Sequence, residues 1–374
     1  YEIPKRDWSS DVCSSDLENG AQPADGSSVR YQAFDASARG RLYGNGAAAK
    51  KRRTSRILFG HAGATVNDPA LEAAWRAHGR GNLTEAARLY SAVLRANPSQ
   101  FDALYSLGFL RYQESAFAEA RQLLSKAVRV GPHAAEAWFA FGCVLLRTQE
   151  DDQAHEAFAQ ATRLQPHLAE ALLNQGALLL ARKRTEEALA CFDRAAQGNP
   201  AITHVWNNRG NALAALGRHE DAIASYTRAL ALEPALTEAL VNRGTALLAL
   251  QRSTEAIEDY NRALALDPLH ADAIAGRANA LYECKRYAEA ADGYARVLAV
   301  QPHYDYAAGT LAYCKLHCCD WEDLQTTRQR LAEAVRRGEK CLLPFQALSL
   351  LPEADLQHAV ARLWAADKNA SHVR

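Results

Sequence analysis

From about residue 67 to residue 304 the apolar positions fall on helical stripes, and the stripes themselves recur every 34 residues. The clearest copy runs from Thr203 to Pro234. Trp206, Gly210 and Leu213 stand at unit positions 4, 8 and 11, Ala222, Tyr226 and Ala229 at 20, 24 and 27, and Pro234 at 32. One unit later the same positions hold Leu240, Gly244, Leu247, Ala256, Tyr260, Ala263 and Pro268. The first three positions share one side of a helix and the next three one side of a second helix, so each unit is predicted to be a helix, a turn and a helix. Gly210 and Ala222 are read as small because the two helix backbones cross closely there, with Trp206 and Tyr226 filling the space beside the crossing. Pro98, Pro132, Pro166, Pro200, Pro234, Pro268 and Pro302 keep the same spacing and end the second helix, because proline has no N–H and restricts the residue before it.

Counting back from these prolines gives seven units, 67–100, 101–134, 135–168, 169–202, 203–236, 237–270 and 271–304. One unit alone cannot bury its stripe, whereas a stack can. A helix-turn-helix of this period, carried by Trp206, Gly210, Leu213, Ala222, Tyr226, Ala229 and Pro234, resembles the tetratricopeptide repeat family. The resemblance implies an all-α fold, a right-handed superhelical solenoid of paired helices with a concave face lined mainly by the first helix of each unit.

Composition bounds the partners. The 374 residues carry 43 basic and 43 acidic side chains, so the net charge is zero and gives no electrostatic ground for nucleic acid or an anionic membrane as partner. With 48% hydrophobic residues the chain can build a large core, yet no stretch is long enough to span a membrane. Eight irregularly placed cysteines without a signal peptide read as reduced thiols of a cytoplasmic protein. The chain has no methionine and begins at Tyr1, and Asp7 to Leu17 reads as the translation of a common sequencing adaptor. Residues 1–17 are therefore set aside as an artefact and Tyr1 is not taken as a native start. Residues 18–66 read as disordered or irregular, and their basic run, Lys50, Lys51, Arg52, Arg53 and Arg56, as a solvated linker, since no aromatic residues interleave the charges. After residue 304 the period holds for half a unit; 305–374 is read as a partial repeat followed by capping helices and a junction.

Candidate binding residues are those of the first helix that do not pack, expected at unit positions 2, 5, 6 and 9. In the fifth unit these are His204, Asn207, Asn208 and Asn211; the sixth supplies Glu238, Asn242 and Thr245, and the seventh Asp272 and Asn279. Asn174 in the fourth unit joins Asn208 and Asn242 at position 6, a partial asparagine row. A carboxamide both donates and accepts hydrogen bonds, so such a row can grip an extended peptide by its backbone. Clamping a C-terminal carboxylate would need Lys or Arg at positions 2 and 5, where this chain has acids or neutral residues. Arg209, Arg243 and Arg277 at position 7 are expected to lie between helices and pair with acids. Cys314, His317, Cys318 and Cys319 lack a second ligand pair at metal-site spacing, so buried thiols are favoured over a metal.

The tail carries a second resemblance. Cys319, Asp320, Trp321 and Asp323, then Pro344, Phe345 and Leu348, follow the array in a way that resembles the junction preceding the catalytic part of the O-linked N-acetylglucosamine transferase and SPINDLY family, especially its bacterial members. That resemblance implies a substrate-recognition region whose asparagine row holds protein substrates for a nucleotide-sugar (UDP-GlcNAc) site elsewhere in a parent protein. No Gly-rich strand-to-helix turn or acid/base pair follows, so no catalytic residue and no cofactor is assigned to this chain, which is expected to be inactive alone. The alternative is a free-standing scaffold that binds proteins or extended peptides without an attached enzyme.

Overall fold

The structure, a computed structural model, describes residues 68–372. The expectations for 1–17, for 18–66 and for the basic run at Lys50 to Arg56 lie outside the described residues. The described residues are all-α and divide into two compact units, 68–202 and 203–372. The first contains α1 (Pro69–Gly79), α2 (Leu83–Ala96), α3 (Phe101–Gln113), α4 (Phe117–Val130), α5 (Ala135–Arg147), α6 (Asp151–Leu164), α7 (Ala169–Ala181) and α8 (Thr185–Gly198). The second contains α9 (Thr203–Ala215), α10 (His219–Leu232), α11 (Thr237–Ala249), α12 (Ser253–Leu266), α13 (Ala271–Glu283), α14 (Tyr287–Val300), α15 (Ala307–His317), α16 (Leu324–Arg336), α17 (Pro344–Leu350) and α18 (Ala354–His372). Up to α14, odd helices are first helices of repeats and even helices second ones, each odd helix packing on the even helix that follows it.

The turn inside each repeat has one backbone rule. Unit position 15 lies in the left-handed region in all seven units, at Gly81, Ser115, Gln149, Lys183, Gly217, Gln251 and Lys285. Glycine adopts that conformation without a Cβ clash, while the five other residues adopt it against their preference. Cys319 has φ 55° at the same position of the incomplete eighth unit, so the period survives through that turn.

Packing inside a repeat refines the reading of the small residues. Position 8 is small because the ring at position 24 lies over it, and the ring rather than the second helix's backbone is the first thing a side chain there would meet. A Cβ on Gly142 would come within 2.6 Å of Phe158 Cε1, and one on Gly176 within 2.6 Å of Phe192 Cε1. Gly210 and Tyr226 stand in the same relation. Phe158, Phe192, Tyr226 and Tyr260 are all buried, as is Ala222. In the seventh unit Ala278 takes position 8, and Gly293 on α14 leaves it room: a Cβ there would be 2.8 Å from that of Ala278.

The tail builds a core of its own. Ala312 of α15, Leu331 and Val335 of α16, Cys341, Leu342, Ala347 and Leu350, and Leu356 and Val360 of α18 bury one another. Buried Gln346 donates to Thr310 Oγ1 at 3.0 Å and ties α17 to α15. Asp367, 7% exposed, accepts from the Tyr306 hydroxyl at 2.8 Å and from Lys340 Nζ at 2.5 Å, which fastens α18 to the start of α15. Burial pushes the Asp367 carboxyl up, but these two hydrogen bonds and the Lys340 charge outweigh it, so its pKa lies below the usual aspartate value. Three large apolar side chains stay out of this core: Trp321 is 64% exposed, Phe345 69% and Leu348 63%.

Candidate functional site

The candidate residues are described within each compact unit. In 68–202, Asn174 is buried and its Nδ2 donates to Sγ of Cys143, position 9 of the preceding repeat, at 3.8 Å. In 203–372 the same step recurs with better chemistry: Asn242 Nδ2 donates to Oδ1 of Asn211 at 3.0 Å. Asn242 is half-buried. A position-6 asparagine thus ties its own repeat to the one before. Gly276 breaks the row in the seventh unit for a steric reason, because any Cβ there would collide with the ring and hydroxyl of Tyr260.

Position 9 is tied to position 24. The hydroxyl of Tyr226 donates to Asn211 Oδ1 at 2.8 Å, that of Tyr294 to Asn279 Oδ1 at 2.5 Å, and Thr245 Oγ1 and the Tyr260 hydroxyl share a hydrogen bond at 3.1 Å. Burial raises the hydroxyl pKa of Tyr260 and Tyr294, so both remain protonated donors or acceptors at neutral pH. Sequence reasoning passed over these tyrosine hydroxyls, although a signal was there. Where position 24 is Tyr226, Tyr260 or Tyr294, position 9 is polar; where it is Phe158 or Phe192, position 9 is Cys143 or Ala177.

Four of the ten candidate residues are buried rather than open: Asn174, Asn207, Asn208 and Asn211. For Asn174 and Asn211 the cause is the inter-repeat and tyrosine hydrogen bonding just described. For Asn207 it is the position itself. Position 5 elsewhere holds buried Leu71, Phe139, Leu173, Val241 and Ala275, so it is a packing position where a groove position was expected. His204, Glu238, Asn242 and Asp272 are half-buried, while Thr245 and Asn279 are exposed. Asp272 also accepts from the Tyr304 hydroxyl at 3.2 Å. The face of α9, α11 and α13 that carries these residues is therefore polar, partly open and already cross-linked by hydrogen bonds.

The position-7 arginines lie elsewhere. Arg243 makes a two-pronged pair with the buried carboxylate of Asp259, both contacts at 2.6 Å, and reaches Thr227 Oγ1 of the preceding repeat at 3.0 Å. Arg209 donates to Ser225 Oγ at 2.7 Å. Among the tail cysteines, Cys314 is buried and its thiol is pushed up to about 12 by burial, with the Cys318 charge a smaller cause, whereas Cys318 and Cys319 are exposed. Among the described residues no group of three His, Cys, Asp or Glu could hold a metal ion. No described helix is long and apolar enough to cross a membrane.

Comparison with known proteins agrees with this geometry. No curated protein matches the chain. Among solved structures, a TPR repeat-containing protein from Cytophaga hutchinsonii superposes with a TM-score of 0.51 at 15% identity, over 64% of this chain and 99% of that one. Pseudomonas aeruginosa PilF is 22% identical over 54% of this chain and 92% of its own, with a TM-score of 0.48. YrrB, described as a TPR protein with an unusual peptide-binding site, is 22% identical over 48% of this chain and 92% of its own, with a TM-score of 0.44. The likeness to the Cytophaga hutchinsonii protein concerns the fold alone. The tetratricopeptide repeat model matches residues 71–135, 139–202, 185–237, 207–270 and 241–305. With that model covering more than half of a chain whose helices pair repeat by repeat, the chain belongs to the tetratricopeptide repeat family.

Proposed function

We propose that this chain is a protein-interaction scaffold that holds an extended peptide segment on the odd-helix face of 203–372. The observation that carries the reading is the row of partly open polar side chains on three successive odd helices, His204, Glu238, Asn242, Thr245, Asp272 and Asn279. Neutral amides and hydroxyls in such a row suit a peptide backbone, and the carboxylates of Glu238 and Asp272 favour a segment without acidic side chains. Selecting random peptides by display on the full chain tests this. Selected peptides are expected to lose affinity when Asn242 and Asn279 are changed to Ala; recovery of none, or indifference to both changes, would remove the reading. The cytoplasmic location expected from the cysteines belongs to the same proposal, supported by the buried thiols Cys143, Cys191, Cys314 and Cys341.

A finer reading attaches this scaffold to a protein O-linked N-acetylglucosamine transferase. It is supported by the motif residues Cys319 to Asp323 and Pro344 to Leu348, and by the exposure of Trp321, Phe345 and Leu348 among them, which suits burial against a further domain. UDP-GlcNAc would then bind that domain and not these residues. Calorimetry of this chain with UDP-GlcNAc is expected to show no heat of binding, and a measurable affinity would refute this division of labour.

A further inference from the structure

Along α3, aromatic rings stand at unit positions 1, 5, 9 and 12: Phe101, Tyr105, Phe109 and Tyr112. These positions share one side of the helix, and successive ring centroids lie 6.2, 6.4 and 6.5 Å apart with interplanar angles of 2°, 21° and 23°. Packing does not require such a row. The fourth repeat fills the same positions with Ala169, Leu173, Ala177 and Leu180, all buried, whereas Phe101, Tyr105 and Phe109 stay half-buried. Half-buried Phe117, edge-on to Tyr112 at 5.9 Å, continues the row into α4, and the Arg147 guanidinium already sits over it, 5.1 Å from the ring centroid. Asp102 puts a carboxylate in the first turn of α3, and exposed Glu136 puts one in the first turn of α5, the next odd helix. Arg111, the one cation of α3, is paired with Glu114 and Glu119.

We propose that this aromatic row of 68–202 is a docking face for an extended segment of a partner protein that carries arginine at every second position. A ring face attracts a cation, and a guanidinium, being planar, also stacks on it. Arg147 on Phe117 shows that combination within the chain itself. In an extended segment, side chains two residues apart point the same way and stand about 6.6 Å apart, which matches the 6.2 and 6.4 Å steps from Phe101 to Tyr105 and from Tyr105 to Phe109. The carboxylates of Asp102 and Glu136 add the opposite charge and tell against other occupants: an acidic segment is repelled, and a purely apolar one leaves them unanswered. A nucleic acid strand also stacks on rings, but its phosphates need cations, and α3 has none to spare. The row uses none of the residues assigned to the polar face of 203–372, so the two readings stand or fall separately.

Calorimetry of the full chain against three end-capped peptides, RGRGR, KGKGK and RRRGG, tests this. RGRGR is expected to bind about tenfold more tightly than either of the others. Tyr105→Leu, which copies position 5 of the fourth repeat, should remove that advantage. Glu136→Gln should weaken RGRGR about threefold, and because Glu136 is exposed that variant tests the face even where Tyr105→Leu does not fold. Equal affinities for the three peptides, no measurable binding of RGRGR, or binding indifferent to both changes would overturn the docking face. Two controls address the other occupants. A chain with Lys51→Gln, Arg52→Gln and Arg53→Gln is expected to bind RGRGR as before; tighter binding would mean that this run already holds the face and would overturn its assignment to a partner. Octathymidylate is expected not to compete with RGRGR, and competition would overturn the assignment to a protein.

Discussion

Tyr226 donates its hydroxyl to Asn211 across the helix pair of the fifth repeat, and the same two positions are joined in the sixth and seventh. In the third and fourth repeats the same two positions hold Phe158 with Cys143 and Phe192 with Ala177, which have no such hydroxyl to share. Tyr226→Phe is expected to cost about 1 kcal/mol, because it removes one of the two bonds to a buried acceptor. Asn211→Ala in the same chain reproduces the fourth repeat's pairing, so the two changes together should cost less than their sum. Urea denaturation of the four variants measures the coupling; strict additivity would show that the hydroxyl and the amide act independently.

Left-handed turns give a second test free of side-chain packing. Nothing lies within 4 Å of a Cβ built on Gly217, so Gly217→Ala probes backbone conformation alone. It is expected to destabilise by about 1 kcal/mol. Lys285→Gly relieves the same strain but frees the unfolded chain, leaving a net gain of about 0.5 kcal/mol. Thermal melts of the two variants should move in opposite directions.

Overpacking separates ring contacts from helix contacts. Gly142→Ala drives a methyl into the Phe158 ring and is expected to cost about 1–3 kcal/mol. Adding Phe158→Leu, which copies the Gly108 and Leu124 pairing in residue 158, should recover part of that loss. No recovery would mean that the second helix's backbone sets the limit.

Acid should weaken the fold from the histidine range downward. Burial lowers the pKa of His78, His155 and His204 below 6.5, with Arg182 and Arg184 adding to the effect at His155. A group whose pKa falls on folding takes its proton more readily when unfolded, so its stabilising share is complete above about pH 6.5 and shrinks as the pH drops below that value. Denaturation midpoints are expected to fall between about pH 7.5 and 5.5, and His155→Gln should make the fall shallower. A midpoint that rises on acidification would contradict these directions.

The repeat period, the helix pairs and the closing prolines were legible because each rests on residues that repeat by identity or size. The turn at position 15 was legible only where Gly81 and Gly217 mark it; Lys183 and Lys285 adopt the same backbone without announcing it. Asn207 was placed on the open face because polarity was taken to mean exposure. Its true neighbours in the pattern, Leu173 and Val241, show a packing position. The asparagine row was found by its spacing, but its internal use could not be, since the acceptor on Asn211 belongs to another repeat. In the tail, Leu331, Val335, Leu356 and Val360 were readable as helix faces, whereas the bond between Tyr306 and Asp367 joins residues that no local pattern connects.

That last bond also orders events in time. Within each compact unit the described helix contacts of the array join a repeat to itself or to the next, so such repeats can close as soon as their neighbour exists, and such local closures are fast. Tyr306 must wait for a partner 61 residues further on. Until Asp367 leaves the ribosome, the start of α15 lacks the carboxylate that its tyrosine and Lys340 share, so this region becomes native after the repeat that precedes it.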